Sequence, residues 1–204
     1  MIVSHRSIVI STTRPGRFGE VPTNWLFNIA KERNDADFEI VDLRDYPMPF
    51  FEEKVPLHVV PPQNEVALRW GEKIASLDGY IFVTAEYNHS IPAVLKNAID
   101  WASRPYGDNV WDGKPVGIMG ASIGMLGTAR AQYHLRQMFV FLNMFPLNQP
   151  EVMIPYAENK FDNEGNLTDQ ITSQKISELL KTLVEWTKTV EKAKPAPTGG
   201  RFFS

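Results

Sequence analysis

Cysteine is absent from the 204-residue chain. That absence alone removes disulfide frameworks, CxxC redox pairs, thiolate nucleophiles and Cys-ligated zinc. Excess charge of one sign is also lacking. Lys and Arg number 21 against 24 Asp and Glu, a net charge of −3, so a broad nucleic-acid footprint is not expected. No apolar run approaches the roughly 18 residues that a membrane span needs. The opening MIVSHRSIVIS lacks a signal-peptide layout and runs into a strand-like stretch, so a soluble, cytoplasmic protein with no membrane partner is expected. GK[ST], GxGxxG and HExxH are missing too, which argues against a P-loop, a Rossmann dinucleotide turn and a zincin helix. The four histidines are scattered, so no histidine metal cluster is expected. What remains is 43% hydrophobic and 22% charged, a balance that excludes collagen-like and disordered chains. The length suits one domain, expected over residues 1–192, with a flexible tail over 193–204.

Apolar runs and helical stripes alternate along the chain. Ser7–Ser11, Phe38–Leu43, Gly79–Thr84, Pro115–Met119 and Leu147–Ile154 read as strands, the last broken by Pro150. Helical spacing recurs beyond Gly19, over Val66–Leu77, after Ser90, over Leu135–Leu142 and over Ile176–Val190. Ser90 is the expected N-cap of the third helix, with Pro92 in its first turn. Tyr46–Pro62 carries five prolines and is expected to be a long, stiff loop. Phe141, Met144 and Phe145 make the fourth helix end apolar all round, which suggests burial against a second subunit. Five strands alternating with five helices argue for an α/β fold, a parallel sheet covered on both faces. In such sheets ligands sit beyond the C-terminal strand ends. Function is therefore sought in the loops after Ser11, Thr84 and Gly120.

The first loop, STTRPGRFG, offers hydroxyls, two arginines and backbone N–H groups ahead of a helix, an arrangement suited to a phosphate. The second, TAEYNHS, presents flat and amide-bearing side chains for stacking and hydrogen bonding. The third, GASIGMLGTAR, has spaced glycines that admit a ligand close to the backbone. Gly120-Ala-Ser122-Ile-Gly124 also fits the G-x-S-x-G nucleophile elbow, so a serine hydrolase using Ser122 is the rival reading. The order of residues weighs against it. That fold needs an acid and then a late His, whereas the only later histidine, His134, follows at once on the next helix with no acid between.

Taken together, STTRPGRFG, DYPMPFFEE, TAEYNHSIPAVLKNAIDW and GKPVGIMGASIGMLGTARAQYHLR resemble, in order, the NADPH-dependent FMN reductase family, which includes flavodoxin-like quinone, azo-dye and chromate reductases. The resemblance implies a three-layer flavodoxin-like sandwich with a five-stranded parallel sheet in the order 2-1-3-4-5. It implies noncovalent FMN, with the phosphate at Thr12, Arg14, Arg17 and Gly19. The isoalloxazine would meet Glu86, Tyr87 and Asn88, largely through backbone groups, and Ser122 and Gly124 across the ring. Where the family often has Pro before Glu-Tyr-Asn this chain has Ala85, and where it often has two glycines it has Gly127-Thr128.

The same resemblance implies NADPH or NADH as co-substrate, a small-molecule electron acceptor, and a homodimer or homotetramer. No catalytic side chain is then required, since flavin N5 carries the chemistry and the protein supplies binding and orientation. An electron-carrying flavodoxin without turnover of its own is the alternative. Such carriers tend to be strongly acidic for docking, which −3 and two loop arginines fit poorly.

Overall fold

The computed structural model describes residues 4–55, 60, 62–103 and 109–193. Of the tail expected at 193–204, all but Ala193 lies outside the described residues, as do 56–59 and 61 of the Pro-rich segment.

Strand β1 (His5–Ile10) leads to helix α1 (Glu20–Ala30), then β2 (Asp37–Asp42), α2 (Glu65–Ala75), β3 (Gly79–Thr84), α3 (Ala93–Ala102), β4 (Pro115–Ala121) and α4 (Ala129–Phe141). Two short strands, β5 (Phe145–Pro146) and β6 (Val152–Ile154), precede α5 (Gln170–Ala193). All pairings are parallel, in the order β2-β1-β3-β4-β5, with β6 also on β4. The expected α/β order 2-1-3-4-5 is therefore found. The fifth position differs: of the expected Leu147–Ile154 only Val152–Ile154 is a strand, while β5 is formed by Phe145–Pro146. Phe145, expected at the end of the fourth helix, therefore lies beyond it, since α4 stops at Phe141. β5 pairs with Pro115 and Val116, β6 pairs with Met119 to Ala121, and Pro150, which has no N–H for a ladder, lies between them.

Burial explains the strand sequences. β3 is buried at every position and β4 at all but its last, because helices cover both faces. The edge strand β2 is half-exposed. One core packs α2, α3 and α4 on the sheet around Trp70, Trp101, Trp111, Tyr80 and Phe82, and the other packs α1 and α5 around Leu26, Ile176, Leu179 and Leu183. Arg6 is wholly buried at the far end of the sheet. Its Nε donates to Thr187 Oγ1 (3.1 Å) and its Nη1 to the Ser4 carbonyl (3.1 Å). Burial lowers the pKa of that guanidinium, against the pull of Glu191, Asp78 and Asp35.

The start of the Pro-rich segment is fastened along α3. Asn97 Nδ2 and Trp101 Nε1 both donate to the Pro49 carbonyl (2.8 Å each), the Phe51 amide donates to Asn97 Oδ1 (2.9 Å), and Phe51 stacks edge-on against Trp101. Ser90 does not cap α3. Pro92 occupies the cap position in extended geometry, its carbonyl accepting from Leu95 and Lys96, while Ser90 is drawn into the preceding turn.

Gly120 is the tightest point where β4 meets the third loop. A Cβ there would lie 2.8 Å from the Thr84 carbonyl oxygen and from Thr128 Cβ, and closer still to Thr128 Oγ1. Gly120→Ala is expected to destabilise the fold by about 1–3 kcal/mol, as overpacking of a dense interior does, read as a lower urea midpoint.

Candidate functional site

The first loop is shaped from behind by two arginines. Arg17 folds back under it, its side chain 2% exposed. The guanidinium makes a two-pronged ion pair with Asp42 at the end of β2, with Nη1 2.8 Å from Oδ1 and Nη2 bonded to Oδ2. Its Nε donates to Glu20 Oε1 (3.0 Å), and Nη1 also donates to the Thr12 carbonyl. Arg44, just past β2, donates to the Arg14 carbonyl (2.8 Å), to Glu20 (2.5 Å) and, at 3.4 Å, to the Thr13 carbonyl. Burial disfavours charge on both Arg17 and Asp42, but their mutual hydrogen bonds and attraction outweigh it. The Arg17 pKa is raised and the Asp42 pKa lowered, the latter helped by the Arg44 amide.

This fixes the polarity of the loop. In a trans peptide the C=O of one residue and the N–H of the next point opposite ways. The carbonyls of Thr12, Thr13 and Arg14 face the guanidiniums, so the amides of Thr13 and Arg14 face away from them. Those two amides donate to no acceptor among the described residues, and neither does the hydroxyl of Thr12, a residue otherwise buried. Gly19 begins α1 beside it, with a Cβ position 3.9 Å from Thr12 Oγ1. Outward amides, a hydroxyl and a helix start fit the phosphate of FMN. Arg14 is exposed. Of the four residues expected there, Thr12 and Gly19 lie side by side, and the Arg14 side chain is free in solvent on the same loop. Arg17 is not, because its charge is spent on Asp42 and Glu20.

In the second loop, Tyr87 and Ser90 exchange backbone hydrogen bonds (2.9 and 3.0 Å) across a tight turn. Asn88 and His89 both take left-handed geometry, φ 51° and 62°. The Glu86 carboxylate turns away from the mouth. Its Oε2 accepts from the amides of Arg130 (3.0 Å) and Ala131 (3.2 Å) at the start of α4. The Ser90 hydroxyl meets His134 Nδ1 at 2.9 Å.

The third loop is held by β6 and the residues after it. The Ser122 amide donates to Ile154 O (3.1 Å), and the Ser122 carbonyl accepts from Ala157 (3.0 Å). A Cβ on Gly127, φ 53°, would strike Ile154 N at 2.7 Å. Thr128 is left-handed, φ 77°, yet its side chain is buried over Gly120 and accepts from Gln132 Nε2 (3.1 Å), so it leaves the mouth clear. Ser122 Oγ accepts from the Gly124 amide (3.0 Å) and meets no imidazole among the described residues, since His134 is taken by Ser90. The elbow spacing therefore lacks its base. No trio of His, Asp or Glu among the described residues could hold a metal, and no described helix is long and apolar enough to cross a membrane.

Sequence reasoning missed Asp42, Arg44, Arg130 and His134. Asp42 and Arg44 did carry a signal, charges flanking the C-terminal end of a strand expected beside the first loop. Nothing local marks Arg130 or His134.

The family model for NADPH-dependent FMN reductases matches residues 7–159. An NAD(P)H-dependent FMN reductase of Pseudomonas aeruginosa is 47% identical over 150 residues, covering 74% of this chain and 78% of that protein. A 2-hydroxy-1,4-benzoquinone reductase of a Burkholderia species is 36% identical, over 89% and 95%. Among solved structures, the flavoenzyme NAD(P)H:(acceptor) oxidoreductase FerB of Paracoccus denitrificans superposes with a TM-score of 0.78 at 29% identity, over 92% of this chain and 98% of that one. With three loops so arranged on this sheet, and with three quarters of its length matched, the chain belongs to the NADPH-dependent FMN reductase family.

Proposed function

We propose that the chain is an NAD(P)H-dependent oxidoreductase that holds FMN noncovalently across the three loops and reduces quinones or free flavin, with azo dyes and metal oxyanions as further acceptors. The observation that supports it most is the first loop, whose carbonyls are captured by Arg17 and Arg44 while its amides, the Thr12 hydroxyl and Arg14 are left for an anion. FMN, when bound, would supply the two-electron redox chemistry that links the nicotinamide to the acceptor.

Thr12, Arg14 and Gly19 bind the phosphate, and Arg17 keeps their backbone in shape. Backbone groups of Glu86, Tyr87 and Asn88 orient one side of the ring, and Ser122 and Gly124 the other. Tyr87, Ile123, Met125 and Tyr156 are exposed around this edge and supply an apolar rim for flat acceptors. The chain works as a homodimer or homotetramer. A groove of about 720 Å³ between α3 and α4 has an apolar floor of Ile91, Ile99, Met138, Phe141 and Leu142, edged by polar side chains such as Lys96, Asp100 and Gln137, and Phe141 is 74% exposed. A second copy of the chain covers it.

Purified protein is expected to be yellow, to release FMN on denaturation, and to oxidise NADPH with benzoquinone along parallel initial-rate lines. A colourless chain that cannot be saturated with FMN overturns the reading. Arg14→Ala should weaken FMN binding by about 1.5–3 kcal/mol, the scale of a hydrogen bond to a charged group, measured by fluorescence titration.

Asp42→Asn should weaken FMN binding by loosening Arg17, and should also flatten the acid limb of stability. The Asp42 pKa is lowered by folding, so its contribution is whole above the ordinary value of 3.8 and is lost as pH falls through the lower folded value. Acid unfolding curves of the two proteins check it. Phe141→Glu should shift sedimentation toward the monomer.

A further inference from the structure

Helix α4 begins without a cap of its own. Thr128 stands at the cap position in left-handed geometry, and its hydroxyl is turned inward to Gln132 and Gly120. The second and third helical amides, Arg130 and Ala131, normally receive the side-chain oxygen of the cap residue. Here both are satisfied by one oxygen of Glu86, from a different loop. The negative charge also suits the positive end of the helix, and Arg130 Nη1 adds a weaker contact at 3.4 Å.

A second tie lies one helical turn on. His134 stands four residues after Arg130, on the same face of α4, and bonds Ser90. Glu86 and Ser90 bracket the tight turn that holds Tyr87, Asn88 and His89. Two consecutive left-handed non-glycine residues persist only where surrounding contacts over-determine them. The Tyr87–Ser90 bridge closes that turn, and the two ties fix it to α4 at both ends. The third loop runs directly into the same helix start. The N-terminus of α4 is therefore the common abutment of the two loops between which the ring is read to lie.

We propose that Glu86, seconded by the Ser90–His134 pair, is a positioning residue: its carboxylate sets the width of the slot between the second and third loops by capping α4 across the gap. The inference rests on the FMN reading above and gives the Glu86 side chain a role other than contact with the cofactor. Glu86→Gln keeps an acceptor oxygen for both amides and loses only charge, whereas Glu86→Ala loses the cap.

The test compares Glu86→Ala, Glu86→Gln and His134→Ala in the full chain, with and without FMN. Glu86→Ala should raise the FMN dissociation constant about tenfold, the loss expected of a helix cap, and alter the visible circular dichroism of bound flavin. Glu86→Gln should stay within about twofold of the parent, because the bonds survive. In flavin-free protein, amide exchange over Tyr87–Ser90 should quicken in Glu86→Ala and not in Glu86→Gln. Parent-like affinity, dichroism and exchange in Glu86→Ala overturn the proposal. So does a Gln variant that falls as far as Ala, which would make the carboxylate's charge at the helix end, and not its bonds to the two amides, the cause. If Glu86→Ala does not fold, His134→Ala carries the test: a smaller change of the same sign supports the tie, and parent-like behaviour overturns it. If the parent binds no FMN, the functional reading fails, while the exchange measurement still decides the tie.

Discussion

A guanidinium buried beneath the first loop is the constraint on which the site depends. Burying a charge is costly unless it is paired and fully hydrogen-bonded. Arg17 meets that condition with both oxygens of Asp42, with Glu20 and with the Thr12 carbonyl. The ion pair ties the start of α1 to the end of β2, so the loop inherits the rigidity of the sheet edge. Its larger effect is on polarity. With their carbonyls drawn inward, the loop peptides present N–H groups outward, and the proposed anion contact does not rely on the buried arginine's own charge.

The opposite wall is built by a different device. Gly120 lets Thr128 and the Thr84 carbonyl pack closely against the end of β4, and Thr128 in turn gives up the role of helix cap. Glu86 fills that role from the neighbouring strand's loop. One missing Cβ thus propagates to a bond that couples two loops. Around this frame the start of the Pro-rich segment is held at Pro49 and Phe51 by Asn97 and Trp101 of α3, so it takes its order from a helix.

Much of the fold was legible because it follows from period and burial. A strand covered on both faces reads as an apolar run, as GYIFVT does, and a helix on a sheet shows a stripe. The split of the last strand was foreshadowed by Pro150, but its division into two pairings with β4 was not. The capping role expected of Ser90 failed because its backbone closes the turn with Tyr87 and the helix cap falls two residues later, at Pro92, while its hydroxyl meets a partner forty-four residues away that local preference cannot see.

By itself the sequence determined the alternation of strands and helices, the position of the three loops at strand ends, and the presence there of residue types suited to a phosphate and a flat ring. Those are local properties of composition and spacing. Only the tertiary structure decided the direction in which each charged side chain turns. Arg14 and Arg17 are near neighbours of the same type, yet one is exposed and the other buried, because Asp42 arrives beneath the loop only when β2 pairs with β1. Glu86 likewise becomes a helix cap only when β3 and β4 lie side by side. Pairings between distant segments assign these roles, and no reading of neighbours along the chain contains them.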